Sequence, residues 1–97
     1  MNDLFQGLPM PKTATQEVLL SLILQGSVSI FDFAWMSGFR TRISNLKLDY
    51  NLNIETEKLK KKKKFGNTYV YCNHILPENE KQNAIDLYYE MWTKTKN

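Results

Sequence analysis

Apolar residues recur at helical spacing in the first part of the chain. Leu19 and Ile23 lie four residues apart within a longer apolar stripe, which indicates one face of an amphipathic helix. Thr13 or Thr15 can cap the start of this helix, because a side-chain oxygen there can accept from a free backbone N–H. Gly26 can end it in a left-handed conformation. The pattern predicts a helix that runs to about residue 25.

A second stripe defines a more polar helix. Phe39, Ile43, Leu46 and Tyr50 fall at i, i+4, i+7 and i+11, so the pattern predicts a helix over about 40–50 with these four side chains inward. The opposite face then carries polar residues together with one apolar residue: Thr41, Ser44, Asn45 and Leu48. Basic residues flank that face: Arg40, Arg42 and Lys47.

Short segments and turn residues surround this helix. The β-branched stretch 27–30 is typical of a very short strand. Asp32 is a candidate cap for a short helix over 33–37. Gly38 fits a left-handed position that turns the chain sharply, and Asn51 can end the following helix because Asn tolerates that conformation.

Period-two alternation replaces helical spacing in the second half. Residues 52–57 alternate with Leu52 and Ile54 inward, and Thr68–Ile75 alternates in the same way, so both are predicted strands. The intervening residues 58–67 contain Gly-Asn and are predicted to form a hairpin loop.

Three regions follow from these elements. Residues 1–12 form an apolar N-terminal arm, either frayed or packed as an extended strap. Residues 13–76 form the main domain. Residues 77–97 contain a helix, opened by Pro77 and running over about 78–95, that packs on the domain or mediates dimerisation.

The order of elements predicts the fold class. Helix, short strand, helix, turn, helix, strand, basic loop and strand is the order of a winged helix-turn-helix. The predicted fold is therefore α+β, a three-helix core with a small antiparallel wing plus an added C-terminal helix. An unrelated small α+β domain is the alternative.

Charge changes this picture more than composition does. Of the 13 Lys and Arg residues, nine lie in residues 40–64, which hold only three of the ten acidic residues. This stretch therefore carries a net charge of +6 within a chain of net charge +3. A basic strip of this kind is typical of a surface that binds phosphates.

A resemblance to a known family rests on this same stretch. Three segments carry it: Gly38-Phe39, Arg42-Ile43-Ser44-Asn45-Leu46-Lys47 and Leu52-Asn53-Ile54-Glu55-Thr56. In that order they resemble the turn, the recognition helix and the wing entry of a helix-turn-helix domain family of bacteriophage and prophage proteins. The resemblance covers about residues 15–75. It implies a winged helix that binds double-stranded DNA, of phage origin and without an enzymatic role.

The expected DNA-binding residues come from two settings. Side chains of the polar helix face can reach base edges in a major groove, and lysines in the loop can contact phosphates. A solvated helix face and a mobile charged loop are the structural alternatives. The full expected set is Arg40, Thr41, Arg42, Ser44, Asn45, Lys47, Lys58, Lys60, Lys61, Lys62, Lys63 and Lys64.

Other chemistry finds little support in the sequence. Cys72 and His74 share a strand face, but as a metal site they are two ligands short and as a catalytic pair they lack an orienting acid. A packed cysteine and a histidine on an edge strand are the expected roles. We therefore expect no enzyme activity, no metal and no cofactor.

Partners and compartment follow from the remaining features. The aromatic residues Tyr88, Tyr89 and Trp92 either pack on the first helix or form a homodimer interface. Exposed Leu48 favours a second hypothesis, a winged-helix module that inhibits or adapts a host or phage protein. The lone cysteine, the lack of a signal-peptide pattern and the lack of a long apolar run favour the cytoplasm, that of the host cell if the chain is phage-encoded.

Overall fold

A computed structural model describes residues 7–62 and 64–95 of the chain. It contains both helices and an antiparallel sheet, so the expected α+β class is confirmed. The elements in chain order are α1 (Ala14–Gln25), β1 (Ser27–Ser29), a 3-10 helix (Ile30–Phe33), α2 (Phe39–Leu48), β2 (Glu55–Lys62), β3 (Thr68–Ile75), a second 3-10 helix (Glu78–Glu80) and α3 (Lys81–Lys94).

The sheet has the strand order β1-β3-β2, and both pairings are antiparallel. β1 pairs with the end of β3 only, from Ser27 opposite Ile75 to Ser29 opposite Asn73. β2 pairs with β3 over its whole length, from Glu55 opposite Ile75 to Lys62 opposite Thr68. The β2–β3 hairpin therefore extends beyond the part of the sheet that β1 covers.

Caps and turns lie largely where the sequence predicts them. Thr13 caps α1, since its hydroxyl accepts from Gln16 N, and Gly26 ends the helix with φ 83°. Gly38 has φ 80° and precedes α2 directly. Asn51 has φ 56°, the left-handed conformation expected for it. These turns are set by local backbone chemistry, which explains why the sequence reveals them.

The core lies between the helices and one face of the sheet. Phe39, Ile43 and Leu46 of α2 are buried, as are Leu52 and Ile54 in the segment before β2, so these inward positions are confirmed. The fully buried apolar side chains of α1 complete this core: Val18, Leu19 and Leu22.

The segment 8–12 packs along α3. The Tyr88 hydroxyl donates to Pro9 O at 2.6 Å, and Trp92 Nε1 donates to Met10 O at 2.7 Å. Lys12 Nζ donates to Thr95 O at 3.0 Å. Burial raises the pKa of Tyr88 to about 12, so its hydroxyl remains a donor at any physiological pH. The extended-strap alternative therefore describes this segment, whereas residues 1–6 of the expected arm lie outside the described residues.

Several local expectations are wrong. The short helix expected over 33–37 is instead a 3-10 turn at Ile30–Phe33, where Ser29 is the cap and Asp32 completes a capping box by accepting from Ser29 N. Tyr50 is 44% exposed because α2 ends at Leu48, before the helical stripe can carry Tyr50 inward. The strand expected over 52–57 begins only at Glu55, and residues 58–62 of the expected loop are strand, because β2 continues through Lys62 by pairing with β3.

Candidate nucleic-acid interface

The outward face of α2 carries the polar residues that the sequence singles out. Phe39, Ile43 and Leu46 hold the helix against the core, so helical spacing turns Thr41 and Ser44 to solvent. Asn45 is half-buried at the margin of this face. Leu48 is 77% exposed in the last turn of the helix. The result is a hydrogen-bonding surface with one apolar side chain at its end.

One flank of α2 meets the sheet through a short hydrogen-bonded chain. Lys47 Nζ donates to Thr56 Oγ1 at 2.8 Å, and the same hydroxyl lies 3.2 Å from His74 Nδ1. Because the threonine oxygen accepts from lysine, its own proton can point to Nδ1 when the imidazole is neutral and protonated on Nε2. This chain connects α2 to the two long strands.

His74 is not on an edge strand, contrary to expectation. It lies on β3, the middle strand, is only 8% exposed, and packs beside the Phe39 ring at a centroid distance of 5.7 Å. Burial lowers the pKa of His74, and the charges of Lys47 and then Arg40 lower it further. A neutral imidazole therefore forms the base of a positively charged region.

Strand alternation sorts the charges of β2 between its two faces. Alternate residues of a strand point to opposite sides, so Thr56 shares its face with Lys58, Lys60 and Lys62. The opposite face carries the acidic residues and the remaining lysine of the strand: Glu55, Glu57 and Lys61 together with Leu59. Since Thr56 contacts Lys47, the face with three lysines is the face on which α2 lies.

The lysines of this face are free of competing charges. Lys58, Lys60 and Lys62 are exposed, and within residues 7–62 and 64–95 none of them forms an ion pair. Lys61 differs, since it lies on the opposite face with its Nζ 5.0 Å from the centroid of the Phe31 ring. The expected phosphate contact at Lys63 lies outside the described residues.

The two arginines of α2 lie on different flanks. Arg40 is exposed and borders a notch of about 130 Å³ between α2 and the hairpin, which Val70, Cys72 and His74 also line. Helical spacing places Arg42 on the other side of the buried stripe from Arg40. Its buried Nε has no hydrogen-bond partner among the described residues. Arg40 thus belongs to the surface shared with the hairpin, whereas Arg42 does not.

Cys72 lies opposite Lys58 in the hairpin and is half-buried. In the described part of the chain no group of three or more His, Cys, Asp or Glu side chains could hold a metal ion.

The hairpin tip carries a residue that the sequence analysis did not single out. Phe65 is 89% exposed, beside Lys64, whose Nζ lies 5.8 Å from the ring centroid. Gly66 follows with φ 96°, which turns the chain back toward β3. The sequence does contain a signal for Phe65: it is an apolar residue directly before a Gly-Asn turn, where residues are normally polar.

Two further observations bear on the kind of site. Within the described residues no helix combines the length and the apolarity needed to cross a bilayer. Comparison of the chain with protein-family models, with curated proteins and with solved structures gives no match.

Proposed function

We propose that this protein binds double-stranded DNA as a winged helix-turn-helix, with α2 as the recognition helix and the β2–β3 hairpin as the wing. The strand order β1-β3-β2 supports this interpretation, and so does the order of elements if the 3-10 helix Ile30–Phe33 takes the place of the middle helix. The resemblance to phage and prophage helix-turn-helix domains agrees with it. The proposed role is that of a phage-type transcriptional regulator, excisionase-like factor or architectural protein, in which binding and not catalysis is the activity.

The two elements would make different contacts. Thr41, Ser44 and Asn45 present hydroxyl and amide groups that suit base edges in the major groove, and Arg40 at the start of α2 suits guanine or a phosphate. Lysines of the wing suit phosphates, which give affinity without reading sequence.

The observation that carries the proposal is the sorting of charge in β2. The strand holds both acidic and basic residues, yet its alternation turns Lys58, Lys60 and Lys62 toward the side of α2 and turns Glu55 and Glu57 away. These three lysines of the hairpin and Lys47 of α2 therefore lie on the same side of the sheet. In a charged loop that is only solvated, there is no physical reason for the lysines to lie on one face and the glutamates on the other.

A salt titration tests the proposal. We expect the protein to bind a mixed-sequence duplex at low salt, with affinity that falls steeply between about 50 and about 200 mM salt as counterions are released. Lys58→Gln with Lys60→Gln should weaken binding to all sequences alike and reduce the salt slope by up to about 1.8, since each phosphate contact contributes roughly 0.9. Failure to bind any duplex at low salt would refute the proposal.

A matched control removes the same charge elsewhere. Lys81→Gln with Lys94→Gln lowers the net charge equally but on α3. This variant should retain the wild-type salt slope. Equal losses in the two variants would mean that overall charge, and not the wing surface, drives binding.

A second candidate function rests on Leu48. An apolar side chain exposed at 77% within a polar face suits a protein partner better than a solvated surface. Under this hypothesis the domain inhibits or adapts a host or phage protein. A pulldown would favour this hypothesis if it yields a stoichiometric protein partner that survives nuclease treatment and is lost in Leu48→Lys. If Leu48→Ala still binds duplex DNA but with a changed sequence preference, Leu48 contacts a base instead.

A further inference from the structure

The β2–β3 hairpin reaches well beyond the rest of the sheet. β1 stops at Ser29, opposite Asn73, so the five register pairs from Lys58 opposite Cys72 to Lys62 opposite Thr68 have no third strand beside them. At roughly 3.3 Å per residue these pairs extend the hairpin by about 16 Å. Whatever lies at the tip is therefore carried away from the core.

Phe65 occupies that tip with almost no protein contact. Its side chain is 89% exposed and is absent from the buried core, and Lys64 is the only described residue with a cation–ring contact to it. Gly66, with φ 96°, completes a tight turn that leaves the ring projecting. Folding gains little from this residue, since it buries little of its apolar surface.

The lysines beside Phe65 distinguish it from other exposed apolar side chains. Lys62 and Lys64 are exposed within three residues of the ring, and Lys60 lies further down the same strand. Cations at these positions would hold the tip against two phosphate strands. An apolar ring between such cations has the composition of a DNA wedge, in which phosphate contacts position a side chain that enters between base pairs.

We propose that Phe65 is an apolar wedge that inserts at a base step in the minor groove and bends the duplex. This inference rests on the proposed DNA binding. It assigns to the hairpin tip the insertion between base pairs, which the charged lysines cannot make. The ring would partly unstack one base step, and flexible pyrimidine–purine steps would be preferred because they unstack most easily. The protein would then read DNA deformability at a position that α2 does not contact.

End-labelled duplexes containing T-A steps test the proposal by energy transfer. Wild-type protein should shorten the distance between the two labels and raise the fluorescence of a 2-aminopurine placed at the unstacked step. Phe65→Ala should abolish both signals and weaken binding by about tenfold, as expected when the burial of one aromatic side chain is lost. Its salt slope should stay at the wild-type value because every lysine remains.

Two variants serve as controls. Phe65→Leu keeps an apolar wedge and should retain bending, whereas Met10→Ala shortens another exposed apolar side chain, on the segment along α3, and should change neither signal. Thermal melting of Phe65→Ala should match that of the wild type, since the ring contributes little to the core.

The outcomes separate the two proposals. If the wild type binds with a steep salt slope but leaves the duplex straight, or if Phe65→Ala bends it as the wild type does, the wedge is wrong and DNA binding stands. If the wild type binds no duplex at low salt, the proposal of DNA binding is wrong, and the proposal that Phe65 is a wedge is wrong as well.

Discussion

The two sides of this domain use their side chains in opposite ways. On the side of α1 and α3, polar groups bond to the protein itself: Gln16, Tyr88 and Trp92 all donate to other parts of the chain. On the side of α2 and the hairpin, Lys47 is bonded to Thr56, but the side chains of Arg40, Lys58 and Lys60 are exposed and form no hydrogen bond or ion pair among the described residues. One side holds the chain together, and the other keeps its charges available.

This difference shows why one small domain can combine a stable fold with an open surface. Stability comes from buried apolar area and satisfied hydrogen bonds. The apolar core joins α1 to both α2 and α3, and the long-range side-chain hydrogen bonds lie where the segment 8–12, α1 and α3 meet. A cationic surface contributes little to stability and repels itself, so it is tolerated only where another part of the chain provides the folding energy. Substitutions on the two sides should therefore have separable effects.

The largest effect should come from Tyr88→Ala on the closed side. Tyr88 is fully buried and its hydroxyl bonds Pro9 O, so truncation leaves a cavity and an unpaired carbonyl. We expect a loss of about 3–5 kcal/mol in the free energy of unfolding, measured by denaturant titration. The neighbouring Tyr89→Ala, at a side chain 46% exposed, should cost far less. Similar losses in both variants would contradict the described packing of α3.

A smaller effect is expected at the start of α1. Thr13→Ala removes the hydroxyl that accepts from Gln16 N, and such a cap contributes about 1 kcal/mol. Thr15→Ala, inside the first turn, keeps the cap and should leave the unfolding midpoint nearly unchanged. Neither substitution should alter the salt dependence of DNA binding, because both lie away from the cationic surface. A change in salt slope would show that the two sides are not independent.

The smallest effect should appear on the open side as a dependence of stability on pH. The pKa of His74 is lowered in the folded protein, so below about pH 6.5 the unfolded chain binds a proton more readily than the folded chain does. Stability should therefore fall as the pH drops from about 6.5 toward the lowered pKa. The free energy of unfolding can be measured by denaturant titration at about pH 7.5 and about pH 5.5, on either side of the usual histidine pKa. Since the chain has one histidine, His74→Gln should remove the histidine contribution to the difference between these two values.

DNA gives this prediction a further check. Phosphates near Lys47 and Arg40 would offset the charges that lower the His74 pKa, so bound duplex should reduce the loss of stability at low pH. An unchanged pH dependence in the presence of saturating duplex would argue against phosphate contact on this flank of α2.

Much of the fold follows from local sequence. The helix caps at Thr13 and Gly26, the left-handed residues Gly38 and Asn51, and the limits of β3 were all predicted from residue type and spacing. Each depends on backbone preferences within a few residues. The outward positions of Thr41 and Ser44 on α2 follow for the same reason, because the buried stripe of the helix decides which side faces outward.

The lysine run shows where local reasoning stops. Residues 58–62 have no alternation of apolar and polar side chains, so nothing in their composition distinguishes strand from loop. Pairing with β3 decides the matter, and the register then separates the lysines of one face from Glu55 and Glu57 on the other. The exposure of Tyr50 likewise depends on where α2 ends in three dimensions.

The sequence by itself determined the approximate positions of α1, α2 and α3, the turns at Gly26, Gly38 and Asn51, and the excess of positive charge between Arg40 and Lys64, since these depend on residue type and short-range spacing. Only the tertiary structure decided that His74 lies buried in a central strand, that three lysines share a face with α2, and that Phe65 projects from the hairpin tip. The physical reason is that strand pairing joins residues distant in the chain, and the face on which a side chain lies is fixed by its partner strand.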